Sequence, residues 1–251
     1  MPALNLPLSM TDQYRLIYRF KLFFITILLA IALAGRATAA GVEDGAAAFV
    51  VEDYSRALEI LMPLAEQGQP RAQVLIGYLH YQGKGVPQSF PEAMKWYHLA
   101  AKQADLEAQY FLGKMYAAGN GVPANHEIAA AWYRSAATGG HALSQYNLGI
   151  SYKRGEGLPQ DFAQAVAWFR KAAYQGLAEA QGMIGAMYYL GEGVPQDDVL
   201  SYMWANLSVA QGDKSSVKLR DALNASLTRE QIAEAQLLAR TCHGSGFKNC
   251  P

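Results

Sequence analysis

Ala108-Gln-Tyr-Phe-Leu-Gly-Lys-Met-Tyr-Ala-Ala-Gly-Asn-Gly-Val-Pro123 is the stretch from which the fold can be read, because its parts return along the chain at a fixed interval. Ala72-Gln-Val-Leu-Ile-Gly-Tyr stands 36 residues before it; Ser144-Gln-Tyr-Asn-Leu-Gly-Ile and Ala180-Gln-Gly-Met-Ile-Gly-Ala follow at the same spacing. Its ending recurs as Gly83-Lys-Gly-Val-Pro87, Gly155-Glu-Gly-Leu-Pro159 and Gly191-Glu-Gly-Val-Pro195. Trp96, Trp132, Trp168 and Trp204, all the tryptophans of the chain, hold the same register. Self-similarity of this period is the signature of stacked supersecondary units that bury their apolar faces against one another.

Within a unit the pattern predicts two helices. The first covers about residues 71–82 in unit one, where Ala72, Leu75, Ile76 and Leu79 share one face. Gly77 and its equivalents Gly113, Gly149 and Gly185 fall inside this helix. A mid-helix glycine costs about 1 kcal/mol relative to alanine, so its return in every unit points to a close approach by the second helix. The Gly-x-Gly-Val-Pro stretch ends the first helix, since glycine supplies positive φ and proline cannot continue the helix. Two residues past each proline stand Ser89, Asn125, Asp161 and Asp197, all good N-caps for the second helix. Glu92 and Gln164 lie three residues after Ser89 and Asp161, and Gln231 three after Thr228, so capping boxes are expected at all three places. The second helix carries Ala93, Trp96 and Ala100 on one side, matched by Ala129, Trp132 and Ala136.

These motifs together, Ala-Gln-x-x-Leu-Gly-x-x-Tyr-x-x-Gly-x-Gly-Val-Pro followed by a capped Ala-x-x-Trp helix, resemble the Sel1-like repeat, a longer relative of the tetratricopeptide repeat. The resemblance implies an all-α fold: a right-handed α/α superhelical solenoid of helix pairs. Four units are expected at 71–106, 107–142, 143–178 and 179–212. A shorter N-terminal helix pair should occupy 40–70, and capping helices with a closed tail 213–251, since the end units of a solenoid must cover its exposed faces. Unit four departs from the pattern, with Gly182 where Tyr110 and Tyr146 stand and Ser201 where Ala93 stands, which reads as wear near an end.

The N-terminus reads as a secretory signal over 1–39. Arg15, Arg19 and Lys21 precede the apolar run Leu22–Ala34, and Ala37-Thr38-Ala39 offers small residues for cleavage between Ala39 and Ala40. As a helix the run covers ~20 Å of a ~30 Å hydrocarbon core, which favours cleavage over the alternative, retention as a membrane anchor; after cleavage no stable membrane insertion is expected, and the location is periplasmic or secreted. Beyond residue 39 the chain holds 17 bases and 20 acids, a net of −3. Nucleic acid is therefore not expected as a partner, because that binding rests on clustered bases. Cys242 and Cys250, the two cysteines, are too few with His243 for a zinc set and read as a disulfide, worth about 2–3 kcal/mol in the chain-entropy picture.

No P-loop, His-Glu-x-x-His or Gly-x-Ser-x-Gly motif is present, and no cofactor or metal is expected. Ser215-Ser-Val-Lys218 reads Ser-x-x-Lys, the nucleophile motif of penicillin-recognising enzymes, but its Ser-Asp-Asn and Lys-Thr-Gly companions are missing. An enzyme acting on β-lactams or peptidoglycan, and a module binding cell-wall glycan, stand as alternatives to the main reading: an adaptor for a protein or peptide partner, or a cell-envelope component. Transferring tetratricopeptide geometry puts first helices on the concave face, with Tyr78, Tyr81, Lys114, Lys153 and Tyr189 as the contact residues that the repeat does not itself require. Their aromatic and basic character suits an acidic peptide or a glycan. Tyr110 and Tyr146 belong to the repeat signature and are read as structural.

Overall fold

The structure, a computed structural model, describes residues 41–248 and 250–251, so the signal-peptide reading of 1–39 lies outside the described residues. Among the described residues there are twelve α-helices and no strand. Helix α1 covers 41–50 and α2 covers Tyr54–Glu66. Four pairs follow: α3 (Pro70–Gln82) with α4 (Phe90–Ala101), α5 (Leu106–Ala118) with α6 (His126–Thr138), α7 (Ala142–Arg154) with α8 (Phe162–Ala173), and α9 (Ala178–Leu190) with α10 (Asp198–Ala210). Helices α11 (Val217–Ser226) and α12 (Arg229–Gly244) both pack on α10 and close that end.

Helices α2 to α10 pack mainly on their neighbours in sequence, so the apolar core runs the length of the stack rather than filling one centre. The mid-helix glycines are where the pairs close. A Cβ on Gly77 would stand 2.8 Å from the ring of Tyr97, one on Gly113 2.5 Å from Tyr133, and one on Gly149 2.7 Å from Phe169. The aromatic beside each tryptophan, rather than the tryptophan, thus fills the space the glycine leaves. In unit four Ala205 holds that position, and the helices approach further: a Cβ on Gly185 would meet backbone atoms of Ser201 and Ala205 at 3.1 Å. Ser201 donates its hydroxyl to the Gly185 carbonyl at 2.8 Å, and Trp204 is fully buried.

First helices end at a glycine in the left-handed region, with φ of 68° at Gly83, 73° at Gly119, 70° at Gly155 and 69° at Gly191. The N-caps work as expected: Ser89, Asn125, Asp161 and Asp197 accept from backbone N–H groups three residues on. The capping boxes do not all form. Thr228 and Gln231 make a complete one. The backbone N–H groups of Ser89 and Asp161, however, already donate to the carbonyls of His80 and Tyr152, at 2.9 and 3.0 Å. No donor is left there for Glu92 or Gln164, and Glu92 instead accepts from Lys95. The repeat uses the cap residue's own N–H to tie the Gly-Val-Pro loop back to the first helix.

The repeated glutamine is a structural clamp. Gln73, Gln145 and Gln181, all buried, donate to the carbonyls of Ala65, Ala137 and Ala173 in the preceding second helix. Each accepts from a second glutamine thirty residues on: Gln103, Gln175 and Gln211. Unit two lacks the second member because Gly139 stands there, and the buried Oε1 of Gln109 has no partner among the described residues.

Candidate partner-binding face

Side-chain contacts line the first helices up along one face. Phe49 of α1 packs edge-on to Tyr78 of α3, ring centroids 5.4 Å apart, and Tyr78 packs on Phe111 of α5 at 5.9 Å. His141, the N-cap of α7, places Nε2 3.0 Å from Glu107 of α5. Lys153 of α7 pairs with Glu192, just past α9.

The five residues expected to make contact are distributed unevenly on this face. Tyr78, Tyr81 and Lys114 come together around Phe111. Tyr78 is half-buried between Phe49 and Phe111 and lines a groove. The Tyr81 ring packs on Phe90 at 5.4 Å and Phe111 at 6.2 Å, and its hydroxyl accepts from Asn120 at 3.0 Å, so it ties unit one to unit two. Lys114 holds its ammonium 5.7 Å from the Tyr110 ring centre and 5.8 Å from that of Phe111. Lys153 and Tyr189 lie further along the stack. Lys153 is engaged by Glu192 and lies over the Phe162 ring at 5.6 Å. Tyr189 is 43% exposed beside Leu190 at 57%.

The groove encloses about 470 Å³ between α1, α3 and α5. Phe49, Val74, Tyr78 and Phe111 make its apolar surface, with Arg71, Asp105 and Glu107 among its lining. Sequence reasoning placed Tyr78 on this face but missed Phe49 and Phe111. The signal for Phe111 was available, since it stands where the other units have Leu75, Asn147 and Met183. Phe49 lies ahead of the repeats, where no register points to it.

At the far end, Asp213 collects four donors. Its Oδ2 accepts from the hydroxyls of Ser208, Ser215 and Ser216 at 2.7–2.8 Å, and its Oδ1 from the Ser215 N–H at 2.9 Å. Partial burial works to raise the Asp213 pKa, but these hydrogen bonds outweigh it and bring it down to about 2. Gly182 is required here: a Cβ would stand 2.2 Å from Ser216 Oγ and 3.0 Å from Asp213 and Ser208. The departures at Gly182 and Ser201 are therefore fitted to the closing of the stack, which corrects their reading as wear. The Ser-x-x-Lys pair is not assembled. Ser215 donates to Asp213, and Lys218 makes no hydrogen bond or ion pair with any of the described residues. Cys242 and Cys250 form a disulfide with Cα atoms 4.7 Å apart. No group of three or more His, Cys, Asp or Glu side chains able to hold a metal occurs among the described residues, and no helix there is long and apolar enough to cross a membrane.

Helix pairs stacked by glycine–aromatic contacts and glutamine clamps, with a side-chain-lined face along the first helices, define a helical-repeat solenoid. The Sel1 repeat model matches residues 70–105, 106–141, 142–177 and 178–213, and the chain belongs to the Sel1 repeat family. Such repeats are typically protein–protein interaction modules. Among solved structures, a protective antigen present in uropathogenic Escherichia coli strains, described as displaying an SLR fold, is 33% identical with a TM-score of 0.71 over 76% of this chain and 42% of that one. A Sel1 repeat protein from Oxalobacter formigenes is 37% identical with a TM-score of 0.62, over 67% of this chain and 49% of that one. This chain therefore spans less than half the length of either. A Sel1 repeat protein from Klebsiella pneumoniae shares the fold at 20% identity and a TM-score of 0.51. No curated protein sequence matches the chain significantly.

Proposed function

We propose that this protein is an exported adaptor that binds a protein or peptide partner along its first-helix face and acts by binding rather than catalysis. The observation that carries this reading is the groove between α1, α3 and α5, an apolar recess with charged residues in its lining. Large aromatic side chains around a recess supply most of the energy in peptide and protein recognition. Tyr78 contributes ring surface to the recess, Lys114 a charge two turns along α5, and Tyr189 an exposed aromatic in unit four. Tyr81 and Lys153 act by holding the face in shape, through Asn120 and Glu192. Export is supported by the signal-like sequence over 1–39 and by the Cys242–Cys250 disulfide, which persists in oxidising compartments.

The test is affinity capture from crosslinked cell-envelope extract, comparing the protein with a Tyr78→Ala, Lys114→Ala, Tyr189→Ala variant. Lys153 is kept because its pair with Glu192 ties α7 to the loop after α9. A protein enriched by the parent and lost with a variant of unchanged circular dichroism supports the adaptor. Equal capture by both removes the first-helix face from consideration. The export reading is tested separately by sequencing the N-terminus of the protein recovered from the periplasm, with Ala40 expected first.

A further inference from the structure

The charge around the groove has the opposite sign to that suggested by the basic residues of the first helices. Lys114 lies outside the groove lining, its ammonium over the Tyr110 and Phe111 rings, and Lys153 is paired with Glu192. Arg71, the base in the groove lining, is taken by Glu43 at 2.6 Å. Asp105 and Glu107 remain. Asp105 caps α5 by accepting from the Ala108 N–H at 2.9 Å but has no cation within ion-pair distance among the described residues, and Glu107 has only the His141 imidazole. Both acids lie at the N-terminal end of α5, one turn before Phe111, so they border one end of the aromatic recess.

We propose that the groove takes an extended segment of a partner protein in which a large apolar side chain is adjacent to an arginine or lysine. The apolar side chain enters between Phe49, Val74, Tyr78 and Phe111, and the neighbouring base reaches Asp105 and Glu107. This rests on the adaptor reading and narrows it to one recess and one class of segment. The recess supplies contact area, which sets affinity; the two carboxylates, neither paired with a Lys or Arg, select the sign of the neighbouring charge and penalise an acidic segment.

A random twelve-residue peptide library displayed on phage and panned on the purified protein tests the proposal, with Tyr78→Ala and Glu107→Lys variants as counter-targets. Neither side chain is fully buried, and circular dichroism checks that both variants keep their helices. Enriched peptides should carry Trp, Phe or Leu within two residues of Arg or Lys, and should bind each variant at least tenfold more weakly. The proposal is overturned if no such pattern is enriched, if acidic peptides are selected, or if the enriched peptides bind both variants as well as the parent. A partner that envelope capture recovers equally with the parent, Tyr78→Ala and Glu107→Lys, but loses with Tyr189→Ala, would leave the adaptor standing and remove this recess as its site.

Discussion

At Gly113 the volume a side chain would need is filled by the ring of Tyr133, 2.5 Å from where a Cβ would stand. Overpacking of this kind costs about 1–3 kcal/mol, while replacing a mid-helix glycine by alanine returns about 1 kcal/mol of helix propensity. Gly113→Ala should therefore lower stability in urea by a net of up to about 2 kcal/mol, and adding Tyr133→Leu should recover part of it; a neutral Gly113→Ala would mean the ring slides aside freely. Asp213 makes a second prediction. Its pKa in the folded protein, about 2, lies below the ordinary 3.8. Its contribution is thus fully present above pH ~4 and lost as pH falls toward 2. The carboxylate is only partly buried, and solvent screens the effect to about 1 kcal/mol or less. Urea midpoints measured from pH 5 to 2 should fall less steeply for Asp213→Asn than for the parent. Parallel curves would show that the serine hydroxyls do not hold the charge.

Among the elements, the join between α5 and α6 is the exception to the glutamine clamp. Leu106 occupies the first-helix position held by Pro70, Ala142 and Ala178 in the other units. A Cβ on Gly139 would stand 2.4 Å from its Cδ2, so the large Leu106 and the missing glutamine are two sides of one exchange. The buried oxygen of Gln109 is the consequence. Replacing Gly139 alone by Gln should destabilise, because the new side chain meets Leu106. Leu106→Ala with Gly139→Gln should be more stable than the sum of the single changes by about 1 kcal/mol, the worth of one restored hydrogen bond. A double-mutant cycle in urea measures this coupling, and additivity would show that the clamp does not re-form.

For the molecule as a whole, the two ends matter most, since a solenoid has no single centre to hold its terminal helices. Helix α12 is fastened by burial of Ala235, Ala239 and Cys242 and by the link from Cys242 to Cys250. Closing that loop is worth about 2–3 kcal/mol in the chain-entropy picture. Reduction, or Cys242→Ser with Cys250→Ser, should speed amide exchange in α12 first and leave α3 to α8 protected, because each helix couples mainly to its neighbours. Uniform loss of protection along the chain would show that the stack unfolds as one unit.

The period of 36 by itself determined the class of fold, the helix pairs, their caps and the left-handed glycines, because each of these is a local requirement restated in every unit. Gly77, Gly113 and Gly149 could be read as sites of close approach before the approaching partner was known. That partner, Tyr97, Tyr133 or Phe169, became clear only once the helices were packed, as did the cost of losing Gln at Gly139. The capping boxes at Ser89 and Asp161 failed for the same reason: a carbonyl nine residues back, close only in three dimensions, had already taken the N–H. The face residues divide similarly. Tyr78 and Lys153 stand where the register put them, yet only tertiary contacts decided that Lys153 is paired, that Tyr81 is a tie between units, and that Phe49 and Phe111 complete a recess bordered by Asp105 and Glu107. A repeat fixes local geometry many times over, whereas a binding surface is made by the side chains that the repeat leaves free, and their neighbours come from other units.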